Sequence, residues 1–180
     1  MTPAFKSNKI RYSNSKCLVM TLSLAPYVPT QRDVVKRMLE LACIGKDDVV
    51  FDLGCGDGRI LLSAVQDFGA QQAVGYEMRE DLYTGVVAKI KNEHLEDRVT
   101  VFHDDLLTAD LSEATVITLY LTTSGNSKLK PKLIQEARAG TRIVSHSFRV
   151  EGWSHTQRES FHGHTLYVYT IPDSLNRNRR

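Results

Sequence analysis

Acidic residues are missing from the first 32 positions of this 180-residue chain. Lys6, Lys9, Arg11, Lys16 and Arg32 stand there unopposed, and Arg177, Arg179 and Arg180 sit at the other end. Eight of the 23 basic residues lie in these two ends, so the stretch between balances 15 against all 21 acids, about −6. Such a core attracts basic partners and repels nucleic acid, so no stable nucleic-acid complex is expected. Long apolar runs are also missing. None approaches the roughly 18 residues of a membrane span, which excludes a transmembrane helix. Cysteine is sparse: Cys17, Cys43 and Cys55 show no metal-ligand spacing, and an odd count supplies no disulfide framework. A reducing, intracellular setting is expected, cytoplasmic first and mitochondrial second. The patch from Cys17 to Ala25 is short for a signal sequence, and only Arg11 precedes Arg32 as an arginine in a presequence-like start.

The run from Val49 to Ile60 carries the most information. An apolar stretch ends in Asp52, glycines follow at 54, 56 and 58, and helical periodicity begins at once. A strand, a glycine turn and a helix whose free N–H groups face the turn make a cradle for a nucleotide or nucleoside. The dinucleotide fingerprint needs glycine at its first, third and sixth positions, and here the sixth is Arg59. A carboxylate at Asp52 would repel a pyrophosphate and attract an α-ammonium. The pattern D-x-G-x-G-x-G resembles motif I of the class I S-adenosylmethionine (SAM) methyltransferases. Glu77, at the end of the next expected strand, is placed to accept hydrogen bonds from both hydroxyls of a ribose. That ribose is common to SAM and NAD, so Glu77 does not separate them.

Alternation of strands and helices predicts a doubly wound α/β sheet. Thr30 fits an N-cap with Asp33 three residues on, and Val34, Val35, Met38, Leu41 and Ala42 follow at helical spacing up to a stop at Gly45. Ile60 to Phe68 gives a helix closed by Gly69, and Leu82, Val86 and Ile90 mark another. Strands are expected at 73–77, 99–102, 115–121, 142–148 and 166–171. A helix through Leu129, Leu133 and Ala137 has Pro131 in its first turn. Residues 1–25 read as a flexible basic arm, 26–172 as the folded domain and 173–180 as a basic tail.

Three motifs occur together in order: Tyr27-Val28-Pro29-Thr30, the Asp52–Gly58 loop, and Ser145-His146-Ser147-Phe148 followed by Gly152-Trp153. In this combination the chain resembles small seven-β-strand protein-lysine methyltransferases, both the broad-specificity archaeal enzymes and the mitochondrial enzymes that modify the c-type rotor protein of ATP synthase. The resemblance runs from about Pro26 to Ile171. It implies a class I methyltransferase, Rossmann-like sheet of order 3-2-1-4-5-7-6 with strand 7 antiparallel. It implies SAM as cofactor, with Tyr27 and Thr30 at the methionine end, Asp52, Gly54 and Gly56 around the amino-acid portion, and Glu77 on the ribose. Asp105 falls where the family places an adenine N6 acceptor. The family often has glycine just before it and this chain has Asp104, so the assignment lies between Asp104 and Asp105. The segment Thr122-Thr123-Ser124-Gly125-Asn126, more polar than in relatives, is expected as a loop at the substrate entrance.

The implied substrate is a lysine of a basic protein. A lysine amine must lose its proton before it can attack, and with a reference pKa near 10.4 only roughly 0.1% is neutral near pH 7.4. A semi-apolar, aromatic slot lowers that cost. Tyr120, at the carboxyl end of the central strand, is the catalytic candidate, placed to line such a slot and accept a hydrogen bond; the alternative is a core tyrosine. Base and glutamine methyltransferases often carry [DN]-P-P-[YF] at that strand end, whereas this chain has Thr118-Leu119-Tyr120-Leu121. No metal is expected: His162-Gly163-His164 has no cysteine or acid cluster to complete a site. His146, inside an apolar strand, reads as a hydrogen-bonded core histidine. Two other readings stay open, a small-molecule methyltransferase and a non-catalytic SAM-binding protein.

Overall fold

The computed structural model describes residues 24–175. The expected arm up to residue 23 and the tail from residue 176 lie outside the described residues. The strands are β1 (Val49–Leu53), β2 (Gln72–Tyr76), β3 (Val99–Phe102), β4 (Val116–Leu119), β5 (Arg142–His146), β6 (Gln157–Phe161) and β7 (His164–Thr170). The helices are α1 (Arg32–Leu41), α2 (Arg59–Gln66), α3 (Glu80–Asn92) and α4 (Thr123–Glu136). They form one seven-stranded sheet of order β3-β2-β1-β4-β5-β7-β6. The β1, β2, β3, β4 and β5 neighbours pair in parallel, and β7 runs antiparallel to both β5 and β6. This is the expected order and the expected reversed strand.

Side chains alternate across each strand, and both faces are covered. Val50, Ala73, Val116 and Val144 pack with α1, α2 and α3. Phe51, Val74, Ile117 and Ile143 pack on the other face with Leu129 and Leu133 of α4. Because β4 is the fourth strand of seven and all four of its residues are buried, the carboxyl ends of β1, β2 and β4 meet at the middle of one sheet edge. The order reverses there between β1 and β4, which is where open α/β sheets leave a crevice.

Gly58 anchors this crevice. Its φ is +77°, and a Cβ there would stand 2.0 Å from Cγ2 of Val86 on α3. Gly58→Ala combines a left-handed side-chain penalty of about 1–2 kcal/mol with overpacking of about 1–3 kcal/mol. Urea unfolding should show a loss of about 2–5 kcal/mol, of which Val86→Ala in the same chain restores only the steric part. A loss under about 1 kcal/mol would show that the loop tolerates a side chain.

Several local expectations need correction. Thr30 does not cap α1: the cap position is Gln31, with no side-chain cap bond, because Thr30 Oγ1 is turned toward Nδ1 of His146. Gly45 does not end α1. The helix stops at Leu41, and Cys43, with φ +50°, takes the left-handed position after it. The polar segment Thr122–Asn126 is not a loop but the cap and first turn of α4, where Thr122 Oγ1 accepts from the Gly125 N–H at 3.1 Å. Pro131 therefore sits inside α4 rather than in its first turn, on the exposed face. β5 ends at His146 because Ser147 takes φ +62° and the Phe148 N–H turns back to the His146 carbonyl. β6 had no apolar periodicity to reveal it. It is an edge strand, largely exposed, joined to β7 through His162 and Gly163, both at positive φ as a tight hairpin turn requires.

Candidate functional site

A cleft of about 840 Å³, counted with its open mouth, lies over the carboxyl ends of β1, β2 and β4. The segment from Leu24 to Thr30 forms one wall. That wall is tied down at both ends. Thr122 Oγ1 donates to the Leu24 carbonyl at 2.9 Å, and the Arg59 guanidinium donates to the Thr30 carbonyl at 2.5 Å. Prolines 26 and 29 fix φ between the ties and keep the segment extended.

The glycine loop is held by Glu77. Its Oε2 accepts from the Gly56 N–H at 2.9 Å and its Oε1 from the Arg79 N–H at 2.8 Å. Glu77 is 9% exposed and lines the cleft. The N–H groups of Gly54 and Cys55 both donate to the Tyr76 carbonyl at 3.0 Å. The Tyr27 ring packs against Gly56 so closely that a Cβ there would meet Tyr27 Cε2 at 2.7 Å. On the other side of the cleft wall, the Arg79 guanidinium lies 5.6 Å from the Tyr27 ring centre, within cation–π range.

Asp52 is 4% exposed and accepts from Thr118 Oγ1 at 2.8 Å. Burial pushes its carboxyl up to about 7; the Thr118 hydrogen bond opposes the shift, and the charges of Glu77 and Asp57 add to it. Among the described residues its second oxygen takes no hydrogen bond, and Asp52 lines the cleft. Asp104 and Asp105 both line the adjoining end. One oxygen of Asp105 caps the short helical turn at Leu107, and one of Asp104 accepts from the Asp105 N–H.

Tyr120 follows β4 and lines the cleft, half-buried. Its ring centre lies 3.8 Å from that of His146 and 6.5 Å from that of Phe148. Among the described residues its hydroxyl makes no hydrogen bond within the protein and stays accessible. His146 is 1% exposed and hydrogen-bonded at both nitrogens, as a core histidine.

All nine residues singled out in the sequence thus border one cleft: Tyr27, Thr30, Asp52, Gly54, Gly56, Glu77, Asp104, Asp105 and Tyr120. Two more were missed. Arg59 lines the cleft and is gripped from behind by both oxygens of Asp57, at 2.8 and 2.7 Å. Its signal was visible, since it is the residue that breaks the dinucleotide spacing. Arg79, two residues past Glu77, carried no pattern of its own. Five carboxylates, Asp52, Asp57, Glu77, Asp104 and Asp105, face these two arginines, so the cleft favours a cationic ligand. His162 and His164 take different partners: His162 meets Asp33 and His164 meets His146. Among the described residues no group of three or more histidines, cysteines or acids could hold one, and no helix is long and apolar enough to cross a membrane.

Residues 52–157 match the model of the ANTKMT methyltransferase domain. A curated relative from Saccharolobus islandicus, named protein-lysine N-methyltransferase, is 43% identical over 150 residues, 81% of this chain and 93% of its own. The adenine nucleotide translocase lysine N-methyltransferase of Mus musculus is 31% identical over 71% of this chain, which spans only 55% of that relative's length. Among solved structures, an RNA methyltransferase from Salinibacter ruber in complex with S-adenosyl-L-homocysteine is 42% identical, with a TM-score of 0.79 over 84% of this chain and 98% of its own.

Proposed function

The chain belongs to the family of the ANTKMT methyltransferase domain and is a SAM-dependent methyltransferase; on that premise we propose that it methylates the ε-amine of lysine in a basic protein. The observation that carries the reading is the character of the cleft. It has an excess of carboxylates, an accessible tyrosine hydroxyl at the end of β4, and the Tyr120 ring on its wall, with the Phe148 ring centre 6.5 Å from that of Tyr120. The carboxylate excess suits a cofactor that is itself a cation, and beside it the apolar stem of a lysine has the Tyr120 ring to lie against.

SAM fits what the residues offer. We assign its α-ammonium to the second oxygen of Asp52, its ribose to Glu77, and its adenine to the end bounded by Asp104 and Asp105. Tyr27 and Thr30 close over the methionine portion, and Gly54 and Gly56 carry the turn beside it. When bound, SAM supplies an activated methyl on a neutral leaving group. The chain's own work is to align the amine, keep water out, and accommodate the neutral form of lysine. The cost of that neutral form is about 4 kcal/mol near pH 7.4.

The competing substrate is RNA, which the name of the Salinibacter chain carries. Tritium transfer from labelled SAM should be run on a basic protein, on total RNA and on a small-molecule extract, with modified residues located by mass spectrometry. Label on lysine supports the proposal; label confined to RNA or to small molecules overturns it. SAM binding with no transfer to any of the three would leave a binding protein.

The raised pKa of Asp52 gives a second expectation. Only its ionised form attracts an ammonium, so SAM affinity should climb as pH rises through about 7, approaching tenfold per unit well below that value. Below pH 7 the complex should release a proton on forming, measurable by calorimetry in buffers of different ionisation enthalpy. In the free protein the sign is opposite. The fold keeps a proton that the unfolded chain gives up, so the contribution of Asp52 to stability falls as pH rises from about 4 to about 7. Affinity that is flat from pH 5.5 to 8 would remove Asp52 from the ammonium site.

A further inference from the structure

Three side chains form a file from the cleft wall to the surface. Thr30 lines the cleft, and its Oγ1 lies 3.2 Å from Nδ1 of His146. Nε2 of His146 lies 2.9 Å from Nδ1 of His164. His146 is sealed, at 1% exposure. His164, at the start of β7 on the side of the edge strand β6, is half-buried, and among the described residues its remaining nitrogen makes no hydrogen bond. Every link is a group that both gives and takes a proton.

The surroundings keep the file uncharged. Among the described residues no carboxylate bonds to either ring. The Tyr120 ring covers His146 from the β4 side. The nearby hairpin turn carries His162, whose partner is Asp33 of α1, and β6 carries Glu159, whose partner is Arg37 of α1. Burial, and then His164, hold His146 down to about 4, so it is a neutral imidazole near pH 7.

We propose that Thr30, His146 and His164 carry away the proton that the substrate amine must shed after its side chain has filled the mouth of the cleft. This rests on the lysine reading above. An amine that arrives as ammonium has no bulk water to receive its proton once the slot is closed. In the starting state Thr30 Oγ1–H donates to His146 Nδ1, His146 Nε2–H donates to His164 Nδ1, and His164 Nε2–H faces water. The ammonium passes a proton to Thr30 Oγ1. The Thr30 hydrogen moves to His146 Nδ1, the His146 Nε2 hydrogen to His164 Nδ1, and the His164 Nε2 hydrogen to water. The sum is ammonium plus water giving amine plus hydronium. Both rings are left neutral with hydrogen on Nδ1. Once product leaves, the shift runs backwards: water reprotonates His164 Nε2, and Thr30 returns a proton to water in the reopened cleft. His146 is then a positioning residue for a proton, not a base that stores one.

His164 lies outside the SAM-binding wall, so its variants isolate the relay. His164→Gln keeps a polar group against His146 but cannot pass a proton. It should bind SAM as wild type does, lose about tenfold or more in kcat at pH 7, and approach wild-type kcat near pH 10, where about a quarter of lysine is already neutral in bulk solvent. His164→Ala should regain rate at pH 7 with added imidazole. In the ligand-free protein, ¹⁵N spectra of labelled imidazoles should show His146 neutral at pH 7 and hydrogen-bonded to His164. A loss in His164→Gln that is equal at pH 7 and pH 10 would mean a structural role, and wild-type kcat at pH 7 would mean no relay; either overturns the proposal, as does a cationic His146. If wild type places no label on lysine, the parent reading fails and the relay falls with it, an outcome visible before any variant is made.

Discussion

Glu77→Ala should weaken SAM binding by roughly tenfold to a hundredfold, because hydrogen bonds to a charged group are worth about 1.5–3 kcal/mol. The structure adds a second consequence. The same carboxylate accepts the backbone N–H groups of Gly56 and Arg79, so the substitution leaves two donors of the loop without their acceptor. Each costs about 1–3 kcal/mol if it finds no water. Glu77→Ala should therefore also lower Tm by several degrees, at about 2–4 °C per kcal/mol for a domain of this size. Glu77→Gln separates the two effects: it keeps an acceptor for one N–H while losing the charge. Calorimetry showing unchanged SAM affinity in a folded Glu77→Ala protein would leave Glu77 as a loop brace and nothing more.

The brace that Glu77 forms, beside the ribose role proposed for it, separates what the sequence disclosed from what it did not. Asp52, Gly56 and Glu77 were legible because a ligand cradle needs an acid, a turn and a second acid at intervals set by one strand and one helix. The sheet order came with the resemblance, and the parallel α/β architecture from alternation alone. What stayed hidden depended on contacts between distant positions. Nothing local tells that Thr30 will turn to His146, 116 residues away, instead of capping α1. The polar run Thr122–Asn126 reads as a loop because serine, threonine, glycine and asparagine are poor helix formers. It is helical because Thr122 caps it and because Asn126, fully buried, donates to the Phe148 carbonyl at 3.0 Å. β6 was illegible because it is a largely exposed edge strand whose inward face holds Glu159 and only one apolar side chain, Phe161, and because its hairpin signal was no more than His162-Gly163. Arg79 became a cleft residue only when α3 placed it over the Tyr27 ring.

Tyr120→Phe should bind SAM nearly as wild type does and lose about tenfold in kcat, the worth of one hydrogen bond of roughly 1–1.5 kcal/mol made in the transition state. Phenylalanine keeps the ring against His146, so the wall of the cleft stands and only the hydroxyl goes. That hydroxyl is open and has no hydrogen-bond partner among the described residues, so its removal breaks no bond of the fold. An interaction gained only in the transition state lowers kcat without a matching change in KM. The pH profile then distinguishes Tyr120 from the relay beneath it. Positioning of the amine is needed whether the proton leaves through His164 or through bulk solvent, so the loss in Tyr120→Phe should be the same at pH 7 and pH 10. The loss in His164→Gln should fade over that range. A Tyr120→Phe defect that also disappears at high pH would make the hydroxyl part of the proton path. Wild-type kcat at both pH values would return Tyr120 to the wall of the cleft, with its ring as its whole contribution.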